Sequence, residues 1–254
     1  VTSSLAHSLS GLGLHRTSAE LDDLVARATK ARLSPTQLLE QIVQLESDER
    51  ARRSLERRTL RSRLGRFKPM ADFDWSWPKS IDRPLVESLL RLDFLQDARN
   101  VVLLAAQGLG KTMIAQNLAH EALRSGHSVL FTTASQLLLD LGSRDSSRAL
   151  ESRLRHYARV GLLIIDELGY LSYDARNADL LFQLVNLRYE KRSLVLTTNQ
   201  AFSDWPTIFP NASCATALID RVIHHCDIVS IEGDSYRRRE AEASLESRRS
   251  RRSG

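Results

Sequence analysis

The run Ala105-Ala106-Gln107-Gly108-Leu109-Gly110-Lys111-Thr112 sets two closely spaced glycines beside a lysine and a hydroxyl, and a helix-forming stretch from Met113 to Ala119 follows. Glycines here let successive backbone N–H groups converge on an anion without Cβ obstruction. The start of a helix adds its partial positive charge. Gln107, Gly108, Leu109, Gly110, Lys111 and Thr112 are therefore a candidate phosphate cradle. Lys111 can bridge the β- and γ-phosphates of a nucleotide, and the Thr112 hydroxyl can ligate Mg²⁺. With the apolar run Val101–Ala105 before it, the segment has the strand–loop–helix setting of a Walker A loop. Its leading position, usually glycine, is Ala105.

A second acidic signature lies further along. Leu162-Leu163-Ile164-Ile165-Asp166-Glu167 is an apolar strand ending in two carboxylates, a Walker B pattern. Asp166 would hold Mg²⁺, directly or through water, and Glu167 would polarise an attacking water. Adjacent strand residues point to opposite faces, but where a strand ends the backbone turns and both can reach one site. Asn199 follows the apolar run Ser193–Thr198. At the carboxyl end of a parallel strand it could orient the lytic water or touch the γ-phosphate. His224-His225-Cys226 invites a metal reading, yet adjacent residues on a helix diverge by about 100° and no second ligand pair is spaced to close a tetrahedron. A packed or solvated helix end is expected there.

These residues need a scaffold. Short apolar runs at 101–105, 128–132, 162–166, 193–198 and 227–231 alternate with helical patterns at about 111–125, 147–159, 175–190 and 215–225. Near-continuous apolar strands joined by helical crossovers predict five parallel strands covered on both faces. Before them, Leu21, Leu24, Val25 and Ala28 follow helical spacing. Ser34-Pro35-Thr36-Gln37 has the form of a capping box opening a second helix that runs on through Arg50–Arg63. The first eighteen residues lack firm periodicity and are expected to be loosely ordered. Residues 65–84, with Gly65, three prolines, Phe73, Trp75 and Trp77, predict an extended connector whose tryptophans anchor it on the following domain, with stacking on a base or nucleotide as the alternative. The expected organisation is a helical N-terminal domain over 1–66, a connector over 67–84, a nucleotide-binding domain over 85–240 and a basic tail over 241–254.

Charge is unevenly distributed over the 254 residues, whose net charge is +5. Residues 49–68 hold nine basic and two acidic side chains, and residues 237–254 hold seven and three, so the remainder is mildly acidic. Two basic segments on an acidic body point to a polyanionic partner. Arg50, Arg53, Arg57 and Arg61 approximate one helix face, and Arg58 and Arg63 extend the charge around it. These six are the candidate contacts to the DNA backbone, with a surface for a partner protein or a solvated charged helix as the alternatives. Six phosphate contacts would give log K a slope of about −5 against log salt. No apolar run approaches the ~20 residues that cross a bilayer, nor does the first stretch contain a signal-like block. Two cysteines make no disulfide framework. A cytoplasmic protein without membrane association is expected.

In chain order, Gly-Leu-Gly-Lys-Thr at 108–112, Leu-Leu-Ile-Ile-Asp-Glu-Leu-Gly-Tyr-Leu at 162–171, Asp-Leu-Leu-Phe-Gln-Leu-Val at 179–185 and Arg188-Tyr189-Glu190 resemble the insertion-sequence transposition helper ATPases of the IstB type, relatives of bacterial helicase loaders. Thr197-Thr198-Asn199, Ala217–His225 and Gly233–Arg237 fit the same pattern, so the resemblance spans about residues 19–240. It implies an AAA+ P-loop NTPase fold that hydrolyses ATP with Mg²⁺, assembles as a homo-oligomer on duplex DNA and delivers target DNA to a partner transposase. By that pattern Arg221 matches an arginine finger that reaches a neighbouring subunit's γ-phosphate, a role suited to a fixed guanidinium. The alternative for Arg221 is a surface salt bridge with Asp220 or Asp227. Arg237 stands where a sensor arginine is sought. A helicase loader and a non-hydrolysing, nucleotide-locked DNA scaffold are the competing functions.

Overall fold

The computed structural model describes residues 2–144, 146–170, 173–209, 212–236 and 238–239; Arg237 and the expected tail over 241–254 lie outside the described residues. The chain divides into two compact units, Val1–Arg57 and Arg58–Gly254. The division falls inside a long helix, Pro35–Ser62. Beyond it the Arg58 guanidinium donates to the Leu123 carbonyl at 3.0 Å, a contact internal to the second unit.

In the first unit, the expectation of loose order over the first eighteen residues is corrected. Helices span Thr2–Gly11 and His15–Ala19, ahead of Leu21–Lys30. The signal missed was a terminator rather than a periodicity. Gly13 takes φ +79°, its N–H bonds the Ser10 carbonyl, and Leu14 N–H reaches back to Leu9, a Schellman closure. Tertiary contact completes the order: the buried Glu46 carboxylate accepts the Thr17 N–H at 2.7 Å. The capping box forms as expected, with Gln37 N–H donating to Ser34 Oγ and Ser34 N–H to Gln37 Oε1.

The second unit is built on a six-stranded sheet in the order β1-β6-β2-β5-β4-β3. The strands are β1 (Ser80–Ile81), β2 (Asn100–Ala105), β3 (Val129–Thr133), β4 (Leu162–Leu168), β5 (Ser193–Thr198) and β6 (Cys226–Glu232). The five expected strands, β2 to β6, are mutually parallel. The sixth, β1, pairs antiparallel with β6 at Ser80–Glu232 and Ile81–Ile231. It corrects the five-stranded expectation, and with the short helix Met70–Asp72 it shows that the connector is part of this unit. Two residues carry no periodicity, so β1 left no trace in the pattern.

Both faces of the central strands are buried, which is why they lack alternation. Val102, Leu163, Ile165, Leu194 and Leu196 join one core with the helices Ala134–Gly142, Ser147–Arg159, Ala175–Arg188 and Ala212–Ile223. The intervening Val101, Leu103, Leu162, Ile164 and Val195 are equally buried, on the side covered by helix Lys111–Arg124. Arg188, wholly buried, takes the place of a core apolar residue. Its guanidinium donates to the carbonyls of Tyr157, Ala158 and Val160 at 2.9–3.1 Å and to Ser193 at 2.5 Å, satisfying the end of one helix and the start of β5 together. Burial pulls its pKa down to about 9.

Candidate nucleotide-binding site

The loop between β2 and helix Lys111–Arg124 is shaped by its two glycines. Gly110 caps the helix in the left-handed region (φ +89°), and Gly108 has φ +80°. Close approach demands glycine as much as the backbone angle does. A Cβ on Gly108 would stand 2.1 Å from Ser235 Oγ, and one on Gly110 would stand 2.6 Å from the Phe73 ring. The Lys111 ammonium folds back to donate to the carbonyls of Ala105 and Ala106 at 2.7 and 2.8 Å.

Beside the loop lies a hydroxyl–carboxylate cluster. Thr112 Oγ1 donates to the Asp166 carboxylate, with its two oxygens at 3.2 and 3.1 Å. Thr197 Oγ1, from β5, donates to the same carboxylate in a short contact. The Thr197 oxygen also accepts the Glu167 N–H at 2.9 Å. Glu167 itself sits at φ +62°, where the β4–β5 register shifts between Ile165 and Leu168. This bulge resolves the orientation problem: it rotates Glu167 out of the strand's alternation, so Asp166 stays buried while Glu167 is exposed.

A cavity of about 550 Å³ unites these pieces. Gln107 to Thr112, Glu167, Thr197, Thr198 and Asn199 line it, which brings together the sequence candidates of the loop, the β4 end and the β5 end. Its other wall is the connector and the segment after β6: Arg66, Lys68, Phe73, Trp77 and Tyr236. Asn117 fastens this wall to the loop's helix, accepting from Met70 N–H at 2.9 Å and donating to the Lys68 carbonyl at 3.0 Å. Trp77 Nε1 donates to the Asp234 carbonyl, and Tyr236 N–H donates to Gly108 at 3.0 Å. The expected anchoring role of Trp77 is thus accompanied by a place in the cavity lining. Thr197 was legible in the Thr-Thr-Asn strand end, and Phe73 and Trp77 in the aromatic run of the connector; Asn117 and Tyr236 had no local signal of a place at the cavity.

Arg221 does not line this cavity. Its guanidinium lies 4.7 Å from the centre of the Phe182 ring and 6.0 Å from that of Tyr189. Asp227, considered as its partner, instead pairs with Arg99. Of the six arginines considered for DNA, Arg53 is bound to Glu49 at 2.6 Å and Arg58 to Leu123. Arg50, Arg57, Arg61 and Arg63 are exposed.

The parallel sheet, the glycine loop after β2 and the carboxylates ending the β4 run define a P-loop nucleotide-binding protein of the AAA+ type. The chain belongs to the IstB-like ATP-binding protein family, whose pattern matches residues 7–244. It is 37% identical over 232 residues to the insertion sequence IS21 putative ATP-binding protein of Pseudomonas aeruginosa, covering 91% of this chain and 88% of that one. The insertion sequence IS232 putative ATP-binding protein of Bacillus thuringiensis subsp. berliner is 36% identical, with 92% and 93% covered. Among solved structures, DnaI aligns at a TM-score of 0.55 and 17% identity, covering 64% of this chain and 90% of that chain. The replication initiator DnaA bound to AMPPCP and single-stranded DNA aligns at 0.52 and 18%, covering 64% and 52%. These two share the fold.

Proposed function

We propose that this protein is a DNA-binding ATPase that assists transposition: it binds ATP with Mg²⁺, oligomerises on duplex DNA and delivers target DNA to a partner transposase in the cytoplasm. The observation that carries the reading is the convergence of Lys111, Thr112, Glu167 and Asn199 on one cavity, with the buried Asp166 carboxylate behind its lining and hydrogen-bonded to Thr112, in a chain of an insertion-sequence ATP-binding family.

Each residue has a task that its placement suits. Lys111 exchanges its two carbonyl partners for the β- and γ-phosphates, while the N–H groups of Gly108 to Thr112 cradle them. The Thr112 hydroxyl and Asp166 carboxylate are a hard-oxygen pair suited to Mg²⁺, which when bound offsets the phosphate charge. Glu167 polarises the attacking water. Asn199 orients that water or touches the γ-phosphate. Thr197 holds the backbone bulge that separates the tasks of Asp166 and Glu167. Phe73, Trp77 and Tyr236 offer aromatic surface for the base. Arg221 acts from a neighbouring subunit, so hydrolysis needs an oligomer. Exposed arginines of the 50–63 stretch, and the basic residues after Arg237, contact DNA phosphates without reading sequence.

Calorimetry with ATP and Mg²⁺, followed by phosphate release with and without duplex DNA, tests this. Uptake of one nucleotide per chain and DNA-stimulated turnover are expected, both lost in Lys111→Ala. Folded protein that takes up no adenine nucleotide would overturn the reading. Binding without turnover would favour a nucleotide-locked scaffold, and co-purification with a replicative helicase rather than a transposase would favour a loader.

A further inference from the structure

The helix that carries Arg221 ends at Ile223, one residue before the two histidines. His224 and His225 therefore occupy a turn, where the divergence of neighbouring helical side chains no longer applies, and their ring centres lie 4.1 Å apart. Glu190, distant in sequence, meets them from the turn after helix Ala175–Arg188. Its Oε1 is 3.7 Å from His224 Nδ1 and 3.9 Å from His225 Nε2.

From this convergence we infer that Glu190, His224 and His225 form a binding site for a borderline divalent transition ion, Zn²⁺ above all, outside the nucleotide cavity. One ligand atom from each residue lies within 4.8 Å of the others, and all three side chains are exposed to ion entry. Tetrahedral Zn²⁺ with nitrogen and oxygen ligands at ~2.0–2.2 Å requires ligand atoms about 3.4 Å apart. The two separations from Glu190 Oε1 need only a few tenths of an ångström of closure, and the histidine nitrogens start within 4.8 Å of each other. Two imidazoles with one carboxylate select Zn²⁺, Co²⁺ or Ni²⁺ over the hard Mg²⁺.

The backbone under the ligands is already held. The His225 carbonyl accepts the Asn100 N–H at 2.7 Å, pinning it to β2. Glu190 sits at φ +56° in a turn closed by Lys191 and Arg192 N–H on the Arg188 carbonyl, directly after the buried Arg188. The Tyr189 hydroxyl lies 2.8 Å from His224 Nδ1, the nitrogen that an ion would engage. Cys226 is half-buried with its Sγ 3.5 Å from the Asp227 carbonyl, outside the ligand group. A bound ion would clamp the end of the Arg221 helix to the turn beside Tyr189, over which Arg221 itself lies. The site does not depend on the ATPase reading and can be tested without nucleotide.

The experiment titrates tag-free, full-length protein with ZnCl₂ against a chromophoric chelator, and with CoCl₂ while recording visible d–d absorption. One equivalent is expected to bind, with MgCl₂ unable to displace it, and melting temperature should rise with Zn²⁺. His225→Ala and Glu190→Gln should each weaken Zn²⁺ at least about tenfold, with circular dichroism reporting that each variant is folded. Glu190→Gln keeps side-chain size and serves if the histidine variant does not fold. His7→Ala, His15→Ala and Cys214→Ser should bind as the parent does. Absence of Zn²⁺ and Co²⁺ binding at millimolar ion, unchanged affinity in both site variants, or loss of binding in the His7, His15 or Cys214 variants would each overturn the inference.

Discussion

Thr197 illustrates how one hydroxyl can serve two neighbours of opposite demand. It donates to the buried Asp166 carboxylate and accepts from the Glu167 backbone, so the acidic pair is held apart in function by a single oxygen. Replacing it with valine keeps the shape but leaves a charged acceptor and a bulged N–H one partner short. Hydrogen bonds to charged groups are worth about 1.5–3 kcal/mol, roughly ten- to a hundredfold in rate. Thr197→Val should therefore lower kcat for ATP by that factor while leaving nucleotide affinity within about threefold, and Thr197→Ser should recover most of it. Steady-state phosphate release with parallel calorimetry checks both, and an equal loss of affinity would assign Thr197 to binding instead.

Helices in the second unit are fastened by polar anchors as well as by apolar stripes. Asp140, on helix Ala134–Gly142, is desolvated, which alone would raise its pKa. Hydrogen bonds from Tyr157, Arg153 and Arg144 outweigh that and hold the carboxyl down to about 2. A carboxyl depressed in the folded state stabilises above its unfolded pKa and loses that contribution as pH falls through the folded value. The depression corresponds to about 2 kcal/mol before solvent screening, which at this partly exposed site reduces it to about 1 kcal/mol. Asp140→Asn should be less stable by about that much near pH 6, and the gap should close between pH 4 and pH 2. Urea denaturation at stepped pH measures it; a gap independent of pH would mean the loss is steric.

For the molecule as an assembling system, the separation of Arg221 from the cavity lining matters most. Its parking place over Phe182 and Tyr189 leaves the nucleotide site of one chain without that guanidinium. If a neighbour supplies it, Arg221→Ala and Lys111→Ala proteins, each inactive, should regain a measurable fraction of ATPase activity when mixed, because some interfaces combine an intact loop with an intact arginine. No rescue at any ratio would count against a shared site. The ion pair of Arg53 with Glu49 offsets one positive charge, and the bond to the Leu123 carbonyl engages the Arg58 guanidinium within the protein, so fewer arginines are expected to contact DNA. With Arg50, Arg57, Arg61 and Arg63 as the phosphate contacts, the slope of log K against log salt should be about −3.5 rather than −5. Fluorescence anisotropy across a salt series distinguishes the two.

Local chemistry announced most of the nucleotide loop and the strands that carry the site. A glycine loop between a strand and a helix, and a carboxylate pair ending an apolar run, depend on neighbours only a few residues away, so their spacing survives in the chain itself. The capping box at Ser34–Gln37 was legible for the same reason, and the Gly13 closure had a local mark that periodicity alone passed over. Long-range packing decided the rest. The two-residue strand β1 exists because β6 offers an edge, and Phe73, Trp77 and Tyr236 become cavity walls because Asn117 and Gly108 bind their segments. The bulge at Glu167 rests on a hydroxyl thirty residues away in sequence. Glu190 meets His224 and His225 only after two helices have packed, since no spacing along the chain encodes a contact made by burial.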